Sequence, residues 1–314
     1  MNGIPFLPPS ASSITGEFNV LASALLGVTG LVMILVVWLM FRFCIHYRKS
    51  NPGADRNHRI KKSWHWEVGW TAASLLIFLG LYAWGADFYL REHHAPADAT
   101  DVYVVGKQWM WKVEHPDGQR EIDALHVALD RPVRLVMTSE DVIHGFSVPA
   151  FRLKQDVVPG RYVTLWFTPD KIGKYHLYCS QFCGTAHAAM GGWVTVLDPG
   201  DFQKWLAANT TAGAGTLAGQ GGLLYRKLGC SGCHERAAGV GPSLAGLYLH
   251  QVTLRDGGTA VADDGFIRSA ILEPATHPVA GFKTTMPSFA GQVDEEQVVA
   301  LVAYIKSLAG KGPP

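Results

Sequence analysis

The chain has 314 residues, enough for two or three domains, and is 48% hydrophobic but only 17% charged. That is little charge for a wholly soluble protein and points to a membrane portion. A formal net charge of +1 removes nucleic acid as an obvious partner.

Val20 to Phe41 runs 22 residues without a charge, and roughly 20 apolar residues carry a helix across a bilayer. A second stretch, Val68 to Ala86, has Trp70, Tyr82 and Trp84 near its ends, where amphipathic rings favour the interface. Between them, Arg42 to Lys62 carries seven Lys or Arg against the single acid Asp55. The positive-inside rule makes this loop cytoplasmic and puts both termini, with everything after residue 90, on the outer side. Met1 to Val20 lacks a basic n-region and a small-residue cleavage site, so no removable signal peptide is expected.

From Asp101 to about Leu197 the pattern changes. Val102–Val105, Val133–Met137, Tyr162–Phe167 and Trp193–Leu197 are short, β-branched or aromatic, and separated by turn residues. Such spacing predicts an antiparallel sandwich or barrel. Near its end comes Cys179-Ser-Gln-Phe-Cys183-Gly-Thr-Ala-His187-Ala-Ala-Met190, with His144 upstream in Asp141-Val-Ile-His-Gly-Phe. Two thiols, an imidazole and a thioether within twelve residues form a soft ligand set that suits copper. Zinc is the competing reading, since Cys and His bind it too, although zinc has no need of the methionine. Four of the five cysteines lie in two tight clusters, which does not resemble a disulfide framework; Cys44 stands alone in an apolar run.

Asn209–Gly222 is rich in Gly, Ala and Thr and reads as a flexible linker. Cys230-Ser-Gly-Cys233-His234 follows, the attachment signature of c-type haem. Met286, in Thr-Thr-Met-Pro-Ser-Phe, is the candidate sixth ligand, and Met/His ligation raises a haem's potential. Asp294 and Gln297 predict a capping box for a last helix. Its apolar face is Val298, Leu301, Val302, Ile305 and Leu308, with a helix around Gly222–Leu228 as partner. The eight basic and eight acidic residues of this part leave its electron donor unspecified.

The copper motif, Lys107-Gln-Trp-Met-Trp111, Phe151-Arg-Leu-Lys-Gln-Asp-Val-Val-Pro-Gly160 and Glu67-Val-Gly-Trp-Thr71 together resemble cytochrome c oxidase subunit II over roughly residues 15–200. The Met286 setting resembles the sixth-ligand loop of class I cytochromes c. The resemblance implies a multi-domain membrane protein: a two-helix transmembrane hairpin, an all-β cupredoxin barrel and an all-α cytochrome c domain. The expected divisions are 1–95 for tail and hairpin, 96–208 for the barrel, 209–222 for the linker and 223–314 for the cytochrome.

By the same resemblance, Cys179 and Cys183 bridge a dinuclear CuA pair. His144 and His187 cap one copper each, Met190 is a weak axial ligand, and residue 181 gives its backbone carbonyl. The family usually has Glu there, whose carboxylate also helps hold magnesium at the subunit I interface. Gln181 makes that magnesium doubtful, because a neutral amide is a poorer ligand for a hard cation. Trp109 matches the aromatic through which electrons reach the copper, and Glu67 matches the acid at the mouth of a proton pathway. One covalent haem c, held by Cys230 and Cys233 with His234 and Met286 as axial ligands, completes the cofactors.

The implied partners are oxidase subunits I and III and a cytochrome c or respiratory complex as donor, and the implied location is a bacterial inner membrane with both redox domains in the periplasm. The implied function is to pass electrons from haem c through copper to subunit I for oxygen reduction coupled to proton translocation. The alternative is a CuA-containing nitric oxide reductase. A quinol oxidase would lack the copper ligands, and nitrous oxide reductase would lack the hairpin. An assembly factor would not need covalent haem, and a freestanding shuttle would not need two spans. The haem domain is expected to dock over the Trp109 side of the barrel.

Overall fold

The computed structural model describes residues 7–54, 63–209, 215–235, 241–282 and 286–309. Four of the seven Lys or Arg of the inter-span loop (Arg56, Arg59, Lys61 and Lys62), residues 210–214 of the expected linker, and Thr284 and Thr285 lie outside that set.

The chain divides into two compact units. One, Ile14–His94, is a helical hairpin of α1 (Thr15–His46) and α2 (Trp64–Glu92). Both helices are long and apolar enough to cross a membrane, and the windows that qualify them bury none of their residues. At 1.5 Å per residue, 29 to 32 residues rise roughly 45 Å, so each extends past the predicted span at both ends. Arg91, in the last turn of α2, pairs with Glu17 of the first turn of α1 at 2.5 Å, and Phe18 meets Phe88 at 6.4 Å between ring centroids. The start of α1 and the end of α2 therefore lie at one end of the hairpin, and the basic residues Arg42, Arg48 and Lys49 at the other.

The second unit holds everything else, including residues 7–13. These hydrogen-bond to the sandwich: Ala11 N to the Ala150 carbonyl and Ser13 N to the Thr168 carbonyl, both at 3.0 Å. Residues 7–13 thus belong with the sandwich rather than with the hairpin.

The sandwich uses ten strands: β1 (Thr100–Lys107), β2 (Met110–Glu114), β3 (Arg120–Ile122), β4 (Ala124–Ala128), β5 (Val133–Ser139), β6 (His144–Val148), β7 (Leu153–Val157), β8 (Val163–Phe167), β9 (Gly173–Cys179) and β10 (Gly191–Leu197). One sheet runs β3-β2-β1-β5-β8 and the other β4-β10-β9-β6-β7. All neighbours are antiparallel except the β1–β5 and β4–β10 pairs. Trp111, Phe146, Phe151, Phe167, Leu125 and Leu135 fill the space between the sheets.

Helix α3 (Pro199–Ala208), which the sequence reading did not anticipate, is capped by Asp198. It packs Trp205 on the ring of His126, stacked at 4.5 Å, and edge-on to His115 at 5.2 Å. Both histidines share the buried carboxylate of Glu121, at 2.6 Å and 2.9 Å.

The remaining elements are α4 (Leu217–Lys227), α5 (Ser231–His234), the hairpin β11 (Gln251–Thr253) and β12 (Thr259–Val261), α6 (Asp264–Leu272) and α7 (Glu295–Ser307). The expected linker is corrected here, because its second half is helical: the Thr216 hydroxyl accepts from Gly219 N and α4 begins. The Gly-rich composition has another cause. A Cβ on Gly221 would lie 1.9 Å from the Ala300 carbonyl oxygen, so only glycine lets α4 and α7 approach this closely. The expected capping box on α7 is present, with both Asp294 and Gln297 bonds formed. Val298, Leu301, Val302 and Ile305 are buried against α4 and α6.

The cytochrome part joins the same compact unit as the sandwich. Val299 and Ala300, on the other side of α7, pack with Leu217 against Tyr103 of β1 and Val136 of β5. The docked surface is therefore the outer face of the first sheet, centred on Tyr103 and Val136. The expectation of docking over Trp109 is corrected: the middle of β1 is apolar on both faces and offers a dry surface, whereas Trp109 lies in the β1–β2 turn.

Candidate metal and haem centres

His144 opens β6, Cys179 closes β9, and Cys183, His187 and Met190 occupy the loop from β9 to β10. β6 and β9 are paired, with Phe146 opposite Cys179, which brings the histidine to the cysteine loop. A Cβ on Gly145 would lie 2.4 Å from Ser180 Oγ and 2.8 Å from the Gln181 amide nitrogen, so the strand passes the loop only as glycine.

All six expected copper ligands gather around the two thiols. The sulfurs of Cys179 and Cys183 are 3.6 Å apart, too far for a disulfide. Cys183 Sγ lies 3.5 Å from His187 Nδ1 and 3.7 Å from Met190 Sδ, and Cys179 Sγ lies 3.2 Å from the Gln181 carbonyl oxygen. His144, Cys179 and Cys183 are all buried, with one ligand atom each within 4.8 Å of one another.

His144 supplies the test of whether these residues fit a metal. Its Nε2 sits 2.8 Å from Asp141 Oδ1, while its Nδ1 is buried without a hydrogen-bond partner. An orphaned imidazole nitrogen next to two buried thiols is costly unless a cation takes it. Burial, then the adjacent Cys179 thiol, push the Cys183 thiol up to about 11. Thiolates there need a positive partner, which a metal would provide.

Asp141 is a residue that sequence reasoning missed. It accepts from His144 Nε2 and from the amides of Gln108 and Val142, at 2.8, 2.8 and 2.7 Å. Burial works to raise its carboxyl, but these hydrogen bonds prevail and hold it below the usual carboxylate range. Its position three residues before His144 was the available signal. Trp111 was likewise read only as part of a resembling stretch; its ring lies edge-on to His144, 5.8 Å between centroids.

Trp109 is part-exposed, and its indole Nε1 donates to the Cys183 carbonyl at 3.3 Å, as does Gln108 Nε2 at 2.7 Å. The structure thus brings Trp109 to the metal loop. Glu67 does not join that cluster: it lies in the first turn of α2, exposed, accepting from the Ser63 hydroxyl.

In the cytochrome part, Cys230, Cys233, His234 and Met286 line one apolar cavity with Leu301 and Ile305 of α7. His234 Nδ1 lies 2.8 Å from the Pro242 carbonyl oxygen. A carbonyl only accepts, so Nδ1 carries the proton and Nε2 is left as the ligating nitrogen. The residues fit a covalent haem, which Cys230, Cys233, His234 and Met286 would hold. Pro242 is the second contact the sequence reading did not find.

Residues 118–196 match the family described as cytochrome C oxidase subunit II, periplasmic domain. Residues 216–305 match the family described as cytochrome C oxidase, cbb3-type, subunit III. The probable cytochrome c oxidase subunit 2 of Rickettsia felis is 30% identical over 236 residues, covering 67% of this chain and 73% of that protein. The cytochrome c oxidase subunit 2 of Alkalihalophilus pseudofirmus is 26% identical over 298 residues, covering 90% of this chain and 84% of that one. A crystal structure of the periplasmic domain of subunit II of cytochrome oxidase of Bradyrhizobium japonicum covers 37% of this chain and 96% of its own, with 28% identity and a TM-score of 0.36.

Proposed function

Because the chain belongs to the cytochrome c oxidase subunit 2 family and carries a cytochrome c domain, we propose that it takes electrons at a covalent haem c and passes them to a dinuclear copper centre, for delivery to an oxygen-reducing subunit I. The observation that carries this reading is the buried, unpartnered Nδ1 of His144 beside two unbonded thiols, with a thioether 3.7 Å from the second. Two thiols, two imidazoles and a thioether favour copper over zinc, because the buried Met190 adds a soft donor zinc does not need.

When bound, the copper pair and the haem supply one-electron redox chemistry; the chain supplies their setting. Cys179, Cys183, His144, His187, Met190 and the Gln181 carbonyl would hold the metal. Asp141 fixes the proton on His144 Nε2, so that Nδ1 keeps the same orientation in both redox states and reorganisation stays small. Trp109, bonded to the Cys183 carbonyl and part-exposed, is the aromatic through which electrons reach the copper loop. Cys230, Cys233, His234 and Met286, which line one cavity, would hold the haem. Gln181 argues against magnesium at the subunit I contact.

Membrane anchoring rests on the two apolar helices. The Glu17–Arg91 end of the hairpin is the periplasmic one, since the described basic residues of the inter-span segment, Arg42, Arg48 and Lys49, lie at the other end. Subunit III and a cytochrome c or a respiratory complex are the further partners. Glu67, exposed at the start of α2 on the cytoplasmic side, is the proposed mouth of a proton pathway.

The experiment is purification in detergent followed by turnover with reduced cytochrome c and either oxygen or nitric oxide. A large hydrophobic partner should co-purify and oxygen should be consumed. Cys183→Ser should abolish turnover and leave the haem c band intact. A lone chain, or turnover with nitric oxide only, would refute the oxidase reading.

A further inference from the structure

Several of the contacts that tie the cytochrome part to the sandwich meet at one side chain. Lys306, in the last turn of α7, lies with its Nζ 2.5 Å from Asp101 Oδ2 of β1 and 3.0 Å from Asp264 Oδ1 of α6. It also donates to the Tyr103 hydroxyl at 3.2 Å and sits over the rings of Tyr248 and Tyr103, at 4.9 Å and 5.6 Å. Its side chain is only 17% exposed.

The groups around it close into a network. Arg134 of β5 grips Asp101 with two bonds, at 2.6 and 2.7 Å, and the Tyr248 hydroxyl donates to Asp264 at 2.9 Å. Two cations, Lys306 and Arg134, therefore face two carboxylates, Asp101 and Asp264, one of each sign from each side of the interface. Removing Lys306 leaves the buried Asp264 carboxylate without its 3.0 Å partner, and such one-sided removal is far more disruptive than replacing a whole pair.

We propose that Lys306 is a positioning residue, the latch that holds the cytochrome domain on the β1–β5 face and so fixes the geometry for electron transfer from haem to copper. This rests on the functional reading given above. Two further contacts act with the latch around the apolar patch of Tyr103, Val136, Val299 and Ala300. Arg268 donates to the Gly160 carbonyl at 2.6 Å, and Lys112 pairs with Glu296 at 2.9 Å. The network lies at the C-terminal end of α7 and the Lys112–Glu296 pair at its N-terminal end, so the helix is pinned along its length. α7 presents Leu301 and Ile305 to the haem cavity and Val299 and Ala300 to the sheet, so pinning α7 fixes the distance between cavity and sandwich. Chain reach adds a bound: the five residues between Asn209 and Gly215 extend at most roughly 20 Å, which keeps a released domain close to the sandwich while leaving its orientation undefined.

The test uses the full chain in its detergent-purified complex, with Lys306→Met, Lys306→Arg and, from the sandwich side, Asp101→Asn. Haem-to-copper transfer is followed after rapid photoreduction of the haem, and docking by amide hydrogen exchange of β1 and α7. Lys306→Met should slow transfer by about tenfold or more and raise exchange in both elements, more so at high salt. The haem bands and midpoint potential should stay as in the unaltered protein. Lys306→Arg should restore both readouts, and Asp101→Asn should loosen docking without touching the haem domain. Unchanged exchange and transfer in Lys306→Met would overturn the latch, and so would a shifted haem potential, which would mean that Lys306 acts on the haem itself. Absence of any haem-to-copper transfer in the unaltered protein would sink the functional reading instead, while the exchange measurement would still decide whether Lys306 holds the domain.

Discussion

The orientation of His144 depends on a carboxylate, and that dependence can be measured. Asp141 accepts a hydrogen bond from His144 Nε2–H, so Asp141→Asn keeps the shape but replaces a charge-assisted bond with a weaker one whose donor and acceptor ends can exchange. Copper retention in a chelator titration should weaken by about 10- to 100-fold, with haem c content unaffected. Glu121 gives a pH prediction at the same scale. Burial acts to raise it, yet hydrogen bonds from His115, from the His126 ring and from the His126 amide bring it down to about 2. A carboxylate depressed in the folded state stabilises fully above its ordinary value of 4.5 and loses that contribution as pH falls towards about 2. The contribution is on the order of 3 kcal/mol, so acid should loosen α3 between those limits, as read by hydrogen exchange. Glu121→Gln should lose most of this pH dependence. The proposed ligands Cys179, Cys183, His187 and Met190 were legible because a metal motif is a spacing rule within a short segment, whereas His144 comes from another strand. Asp141 and Pro242 were not, because a supporting contact is made by whichever neighbour the fold supplies. His115 and His126 carried no local signal at all, being joined only when β2, β3 and β4 bring them to α3.

Among the elements, α7 was nearly complete in the sequence: the capping residues and the apolar face at helical spacing are local properties. Its second buried face was not legible, because Val299 and Ala300 look like ordinary neighbours until β1 is laid against them. The same contact explains the unbroken run Val102–Val105, where an ordinary half-buried strand would alternate. The α4 misreading has the opposite origin. Glycine normally signals flexibility, and here it serves close helix contact instead. Gly221→Ala places a methyl carbon on the Ala300 carbonyl and should force α4 and α7 apart, costing about 1–3 kcal/mol. A lower melting temperature of the haem domain, with copper content unchanged, is the expected result; an unaltered melt would mean that the two helices have slack.

Over the whole molecule, hydropathy and spacing gave the order of parts, a hairpin, a sandwich and a haem domain, but not how they group. Residues 7–13 belong with the sandwich, and sandwich and haem domain form one compact unit. Both facts depend on contacts between segments more than a hundred residues apart, such as Ala11 with Ala150 and Asp101 with Lys306. The proposed electron route depends on which metal the residues around His144 bind. The most direct measurement is metal and haem analysis of the purified protein together with electron paramagnetic resonance of its oxidised form. Two coppers per covalent haem c and the signal of one unpaired electron shared by a mixed-valence pair are expected. A single copper, or zinc in the same loop, would contradict the proposed route.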